Sequence, residues 1–106
     1  MIKPTDKPIL DLIRNTIREQ EPTAEIILYG SRACGDARPD SDWDVLVIVD
    51  KPHLNLKERG TFDYDLWEKG LDIGTEINTR TYTKKEWENA PKTLFKYFVQ
   101  NEGIRL

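Results

Sequence analysis

The segment at residues 42–49, DWDVLVIV, constrains the fold of this chain more than any other. Its last five residues, 45–49, are all β-branched residues or leucine, and such a run is typical of a strand. Two other segments show strand patterns: EIILYG, which Gly30 closes, and TEINTRTY, in which apolar and polar residues alternate. The sequence therefore predicts a sheet of three or more strands.

Five helical patterns alternate with these strands. The first is a helix capped by Thr5 or Asp6 and ended by Pro22, and the second is a short helix in SRACGDA. The third is capped by Thr61 and closed by Gly74 or Gly70, and the fourth begins at the capping box of Thr83 and Glu86. The last helix lies in TLFKYFV, with Leu94, Phe95 and Phe98 turned inward. This alternation predicts an α/β fold, a small mixed sheet with helices packed on one side. With 106 residues, the chain is expected to form one domain over residues 1–106.

Composition and charge exclude several kinds of partner. Lysine and arginine number 16 against 19 acidic residues, a net charge of −3, so the chain lacks the basic surface that duplex nucleic acid requires. No apolar run approaches the roughly 20 residues of a membrane span. The N-terminus has no apolar signal-peptide core, and the single cysteine, Cys34, cannot form an internal disulfide. These features favour a cytoplasmic protein that binds neither a membrane nor duplex nucleic acid strongly.

Three aspartates, Asp40, Asp42 and Asp44, are spaced two residues apart at the apolar run. A calcium loop of the EF-hand type is excluded, because its sixth and twelfth positions would be Val45 and Lys51 instead of Gly and Glu. In a strand, Asp42 and Asp44 would lie on one face, about 6.5–7 Å apart. Two such carboxylates can bind Mg²⁺ and leave room for substrate phosphates, although Asp-x-Asp pairs are also common on ordinary surfaces.

Gly30 and Ser31 follow the first predicted strand and begin the short second helix. Glycine lets the backbone approach a phosphate closely, and the first N–H groups of a helix and the serine hydroxyl can donate to an anion. The same pair is also an ordinary helix start, and no Gly-Lys-Ser/Thr follows it, which excludes a P-loop. Arg32 and Arg38 are near the pair and could neutralise the charge of a triphosphate. Beside the aspartate pair, this segment predicts a phosphate cradle next to a metal site.

These residues together resemble a known signature. The signature of the polymerase-β-like nucleotidyltransferase superfamily consists of Gly-Ser, a small residue, Gly, then Ser-Asp-x-Asp and an apolar strand. This chain resembles it at Gly30, Ser31, Ala33, Gly35, Ser41, Asp42 and Asp44. The length of the chain is similar to that of the minimal nucleotidyltransferase (MNT) branch. The resemblance implies the fold of that superfamily. It also implies transfer of a nucleoside monophosphate from a nucleoside triphosphate (NTP) to an acceptor hydroxyl, with pyrophosphate leaving.

The resemblance further implies roles for individual residues. Asp42 and Asp44 would be catalytic and would bind Mg²⁺ or Mn²⁺. The nucleotide contacts would be Gly30, Ser31, Arg32 and Ser41. Positioning and charge neutralisation can suffice for phosphoryl transfer, so the lack of a cysteine or serine paired with histidine does not contradict this function.

A third carboxylate on the neighbouring strand usually completes the site in this superfamily. Between Glu76 and Asp72, the period-2 alternation favours Glu76, because Ile77 would face the helices and Glu76 the opposite side. Asp72 is expected at the solvated end of the third helix. Glu76 is therefore the predicted third catalytic and metal-binding carboxylate, in place of the usual Asp. Asn78 and Arg80 share its strand face and are candidates for substrate contact.

Two functions are open at this point. The first is a metal-dependent nucleotidyltransferase acting on a protein, an RNA or a small molecule. The second, implied by the resemblance, is a weakly catalytic or non-catalytic antitoxin-type partner of a helical HEPN-like protein. Phe95, Tyr97 and Phe98 are too close together on one helix for all three to face its own core, so a homodimer or a complex with a helical partner is expected. The clustered carboxylates favour catalysis, because a pure binding module has no need of them.

Overall fold

The computed structural model describes residues 3–35 and 37–106, and at residues 56 and 58–62 it describes the backbone only. Four strands form one mixed sheet: β1 Glu25–Tyr29, β2 Trp43–Val49, β3 Ile77–Thr83 and β4 Ile104–Arg105. They lie in the order β3-β2-β1-β4, with β1 antiparallel to both β2 and β4, and β2 parallel to β3. A parallel pair needs a long crossover, which here contains the third helix.

In the described part of the chain, five α-helices lie before and between the strands: α1 Lys7–Gln20, α2 Ser31–Cys34, α3 Leu56–Asp72, α4 Lys84–Asn89 and α5 Leu94–Glu102. The predicted α/β class and the mixed sheet are confirmed. The capping box of α4 forms as predicted, because the Thr83 N–H donates to Glu86 Oε1 at 2.9 Å and the Glu86 N–H donates to Thr83 Oγ1 at 3.1 Å. No helix in the described part of the chain is long and apolar enough to cross a membrane.

Helices cover both faces of the sheet, whereas the sequence pattern predicted helices on one side only. On one face, alternate residues of β2 from Val45 onward share a core with Ile13 of α1 and Leu66 of α3. On the other face, Leu46 packs in a second cluster with Val99 of α5 and a tryptophan of α4. Strand β2 is therefore buried on both sides, which explains its unbroken apolar run.

Helix α3 begins at Leu56, well before the predicted cap Thr61. The segment LKER consists of strong helix formers, so the helix extends towards β2 through what was expected to be a polar connection. The side chain of Thr61 lies outside the described residues. At the other end α3 stops at Asp72, and Gly74, with φ of +79°, follows the helix. Gly70 lies inside the helix, where its missing side chain lets β3 approach closely.

Helix α5 presents a different face to the sheet from the predicted one. Leu94 is 74% exposed and Phe98 is 48% exposed, so neither is turned inward as expected, whereas Phe95 is partly buried and Val99 is buried. The buried stem of Lys96 takes part of the inner face, because its Nζ donates to two carbonyl oxygens at the end of α4, at 3.1 and 3.3 Å. This fixes the rotation of α5 and leaves an aromatic residue, Phe98, half in solvent.

Candidate active site

The sheet topology brings three strand ends together. Strand β1 ends at Tyr29, and its antiparallel register places Tyr29 beside Asp44 near the start of β2. Strand β3 runs parallel to β2, so Ile77 lies beside Trp43, whose N–H donates to the Glu76 carbonyl at 2.9 Å. The end of β1 and the starts of β2 and β3 therefore meet at one end of the sheet.

Gly30 connects β1 to α2 in a backbone conformation, φ +76° and ψ −158°, that is essentially restricted to glycine. A Cβ atom at this position would lie 2.5 Å from Oδ2 of Asp44, which is too close for a non-bonded contact. Helix α2 starts at Ser31, and the N–H groups of Ala33 and Cys34 donate to the Gly30 carbonyl at 3.0 and 3.2 Å. The Gly-Ser segment and the aspartates therefore form a single site, because glycine alone allows this close approach.

Asp42 and Asp44 lie on one face of the sheet, as predicted, and this is the α4/α5 face; Trp43 between them is 1% exposed in the opposite core. Burial raises the pKa of Asp44, and the charge of Asp42 raises it further, against the opposing effects of Arg80 and of a hydrogen bond from Asn78. Asn78 Nδ2 also lies 3.4 Å from Asp42 Oδ2. The two aspartates therefore concentrate negative charge that a bound cation would stabilise.

Glu76 lies on the same face as the aspartates, in the position that the strand alternation predicted. The neighbouring Asp42 carboxyl, through hydrogen bonding and through its charge, raises the pKa of Glu76. Asp72, the rejected alternative, is the exposed last residue of α3. The position of Glu76 agrees with the predicted third carboxylate, and its catalytic role stays a prediction.

The chemistry of this cluster suits a divalent metal, but its arrangement does not yet form a complete coordination site. Asp42, Asp44 and Glu76 supply carboxylate oxygens, the ligands that Mg²⁺ prefers. Among the side chains that the structure describes, however, no three from Asp, Glu, His or Cys are grouped so as to hold a metal ion. The Glu76 carboxyl faces Asp42 instead. Asp42, Asp44 and the exposed Glu76 are therefore the candidate ligands for a metal ion at this end of the sheet.

Arg32 and Ser41, both predicted nucleotide contacts, are hydrogen-bonded to each other. The Arg32 guanidinium donates to the Ser41 carbonyl at 2.8 and 3.2 Å and to the Pro39 carbonyl at 3.2 Å, and its Cζ lies 4.5 Å from the centroid of the Trp43 ring. The Ser41 hydroxyl accepts the Arg38 N–H at 2.7 Å. These bonds shape the loop that precedes β2. The contact of either residue with a nucleotide stays a prediction.

A cleft of about 400 Å³, which the sequence did not predict, lies beside the Gly-Ser segment. We call it the aromatic cleft; it is lined by Tyr29, Gly30, Ser31, Cys34, Phe95, Phe98 and Glu102. The Tyr29 and Phe95 rings meet edge to face with centroids 5.3 Å apart, and Arg80 Cζ lies 4.8 Å from the Phe95 centroid. Packing of α5 against β1 brings these distant segments together. The position of Tyr29 directly before Gly-Ser was the one local signal.

Comparison with known families identifies the kind of protein that carries this site. The nucleotidyltransferase domain family matches residues 10–105. The chain belongs to the nucleotidyltransferase domain family. The predicted enzyme class, a nucleotidyltransferase, is thereby confirmed. Comparison with curated proteins gives no match.

Solved structures that are similar to this nucleotidyltransferase domain confirm its fold. A candidate nucleotidyltransferase is 26% identical, with a TM-score of 0.63 over 92% of this chain and 96% of that chain. A toxin–antitoxin with AMP-PNP is 21% identical, with a TM-score of 0.61 over 88% of this chain and 68% of that chain. A mutant of the toxin–antitoxin MntA-HpeT is 18% identical, with a TM-score of 0.57 over 94% of this chain and 70% of that chain.

Proposed function

We propose that this nucleotidyltransferase domain moves a nucleoside monophosphate from an NTP to a hydroxyl acceptor on a protein, an RNA or a small molecule. The observation that carries this proposal is the close approach of the Gly30 backbone to the Asp44 carboxylate, with Asp42 and Glu76 on the same face of the sheet. A phosphate group held at Gly30 and Ser31 would bring the neighbouring phosphates of the same NTP to the aspartates.

The proposed cofactor is Mg²⁺ or Mn²⁺, held by Asp42 and Asp44 with Glu76 as a third ligand. Proteins of this fold usually use divalent metals for nucleotidyl transfer. When bound, the metal would supply positive charge that neutralises the phosphate oxygens during transfer.

The residues of this chain can serve each part of the transfer step. The acceptor hydroxyl oxygen forms a bond to the α-phosphorus while the bond from that phosphorus to the pyrophosphate oxygen breaks, and pyrophosphate leaves with the bonding electrons. Glu76 is the proposed acceptor of the hydroxyl proton, because its carboxylate is exposed and its pKa is raised. Gly30 and Ser31 would hold the departing pyrophosphate.

A second function, that of an antitoxin-type partner of a helical HEPN-like protein, is favoured by the surface of α5. Leu94, Tyr97 and Phe98 are exposed large apolar residues on this one helix. Two similar structures are toxin–antitoxin proteins, one of them with AMP-PNP. The proposed partners are therefore an NTP and either a helical protein or a second copy of this chain. The cytoplasmic location stays a prediction from the sequence.

Nucleotide binding, measured by isothermal titration calorimetry with each of the four NTPs in Mg²⁺ and in EDTA, tests the proposed function. We expect binding in Mg²⁺ only, and an affinity at least about 10–100-fold lower in Asp42→Asn and in Asp44→Asn, because each loses a metal ligand. Both variants should remain folded, since removal of a carboxylate relieves repulsion within the cluster. Asp72→Asn, at an exposed carboxylate outside the site, is the control. Metal-independent binding that both cluster variants retain would contradict the proposal.

A further inference from the structure

We propose that the aromatic cleft binds the nucleobase of the donor NTP, stacked on Phe98. This inference rests on the proposed function and names a part of its substrate site. The cleft volume of about 400 Å³ lies in the range of small-molecule sites. Gly30 and Ser31 line the cleft as well as the proposed phosphate cradle. The cleft therefore adjoins the proposed phosphate cradle.

The geometry of phosphoryl transfer directs the nucleoside towards this cleft. Acceptor and leaving pyrophosphate lie on opposite sides of the α-phosphorus. The pyrophosphate would lie at Gly30, after β1, and the acceptor at Glu76, before β3. The line from the acceptor oxygen through the α-phosphorus to the pyrophosphate would then run along the strand ends. The nucleoside would project from the α-phosphorus to one side of this line. The carboxylates lie on the α4/α5 face. The aromatic cleft lies on that same face, between β1 and α5 and beside Gly30.

The rings of the cleft differ in how firmly they are held. Phe95 packs edge to face against Tyr29 at 5.3 Å and against Trp87 at 6.1 Å, and Arg80 Cζ lies 4.8 Å from its centroid. Phe98 keeps 48% of its surface exposed. It therefore offers an aromatic surface to a ligand, next to a ring that is already fixed. Stacking of a base on such a ring typically strengthens binding by about 5- to 150-fold.

Calorimetry on the full chain with two probes, Mg²⁺-ATP and Mg²⁺-tripolyphosphate, separates the base from the phosphates. In Phe98→Ala we expect the affinity for ATP to fall by about 5- to 150-fold and the affinity for tripolyphosphate to stay unchanged. Leu94→Ala is the matched control, because Leu94 lies on the same helix, is exposed and does not line the cleft. It should bind both probes like the unchanged protein. Circular dichroism checks that Phe98→Ala folds.

Cys34 provides a second readout that does not depend on transfer activity. It is the one cysteine of the chain, it is exposed, and it lines the cleft. We expect Mg²⁺-ATP to slow the modification of Cys34 by N-ethylmaleimide more than Mg²⁺-tripolyphosphate does. This difference should disappear in Phe98→Ala.

The outcomes separate this inference from the proposed function. Unchanged affinity for ATP in Phe98→Ala, or an equal loss for ATP and tripolyphosphate, would overturn the inference alone. A higher KM for the acceptor with unchanged affinity for ATP would also overturn it, by assigning the cleft to the acceptor. Failure of the unchanged protein to bind either probe would overturn the proposed function together with the inference.

Discussion

Individual carboxylates would carry most of the chemistry proposed for this protein, and the fold gives them different environments. Asp44 is partly buried against the Gly30 backbone, whereas Glu76 is exposed and contacts Asp42. Asp44 is therefore fixed in place, and Glu76 has more freedom to move. This difference suits Asp44 to holding the nucleotide-associated metal and Glu76 to handling the acceptor.

Glu76→Gln tests this division of roles, because it removes one charge and keeps the size of the side chain. We expect nucleotide transfer to be abolished and NTP binding in Mg²⁺ to remain largely intact, since Asp42 and Asp44 can still hold the metal. Transfer of radiolabel and calorimetric binding are measured on the same preparation. Full transfer activity in Glu76→Gln, or its loss in Asp72→Asn, would show that the third carboxylate is assigned wrongly.

Asp63 of α3 offers a prediction about pH that is separate from the active site. Burial raises its pKa to about 6, and its Oδ1 is buried with no hydrogen-bond partner among the residues that the structure describes. A carboxyl with a raised pKa in the folded state contributes stability that is complete below its unfolded pKa of 3.8 and is lost as pH rises through about 6. Asp63→Asn should therefore raise Tm at pH 8, with a much smaller effect near pH 4.5.

Thermal unfolding followed by circular dichroism at both pH values measures this change. The exposed Asp72→Asn variant should show little change at either pH. A Tm at pH 8 that falls in Asp63→Asn would mean that the charge of Asp63 stabilises the fold.

At the scale of secondary-structure elements, local patterns were sufficient wherever one segment determines its own structure. The capping box at Thr83, the helix end near Gly74 and the aspartate pair at the start of β2 were all readable in the sequence. The rotation of α5 was not readable in the sequence, because it depends on carbonyl oxygens at the end of α4 that accept hydrogen bonds from Lys96. Strand β4 has two residues, too few for a periodic pattern, and depends on its pairing with β1.

The candidate site shows the same limit. Its carboxylates and glycine were predictable from spacing and from the family resemblance, and strand alternation placed Glu76 on the correct face. The aromatic cleft was not predictable, because it forms only where α5 crosses the end of β1. The bonding of Arg32 to the carbonyls of its own loop likewise depends on how that loop folds back.

The connection between β1 and α2 can be tested with a pair of glycine substitutions. Gly30 and Gly74 both have positive φ, +76° and +79°, so an alanine at either position should cost about 1–3 kcal/mol of stability. A Cβ at Gly30 would meet the Asp44 carboxylate, whereas one at Gly74 has no atom within 4 Å. We expect Gly30→Ala to lose Mg²⁺-dependent NTP binding as well as stability, and Gly74→Ala to lose stability only.

Calorimetry and thermal unfolding of both variants distinguish the two effects. Binding by Gly30→Ala that equals that of Gly74→Ala would mean that the close approach to Asp44 has no part in nucleotide binding.

At the scale of the whole molecule, the outer side of α5 is an apolar surface that a partner could cover. Leu94 and Tyr97 are exposed there, and the Tyr97 ring packs against Phe98 at the edge of the aromatic cleft, with centroids 5.6 Å apart. Burial of such side chains contributes about 25 cal/mol per Å² of apolar surface. A helical partner or a second copy of the chain would gain this energy by docking on α5.

We therefore expect association through α5, measured by sedimentation equilibrium of the chain alone and after mixing with a purified helical partner. Replacement of Leu94 and Tyr97 together by serine should weaken the complex at least tenfold and leave Mg²⁺-dependent NTP binding unchanged. A chain that stays strictly monomeric and transfers nucleotide at full rate alone would contradict this expectation.

Because β2 pairs in parallel with β3, each newly made chain would become active only at a late stage of folding. A nascent chain that has emerged as far as β2 already contains the glycine turn and both aspartates, but β3 reaches β2 only after the α3 crossover has been made. Non-local parallel pairing is slow compared with helix formation. Helix α5, which supplies Phe95 and Phe98 to the aromatic cleft, is synthesised later still. Unfinished or partly unfolded chains would therefore neither bind nor transfer nucleotide. Other molecules in the cell would then be modified only by chains that have finished folding.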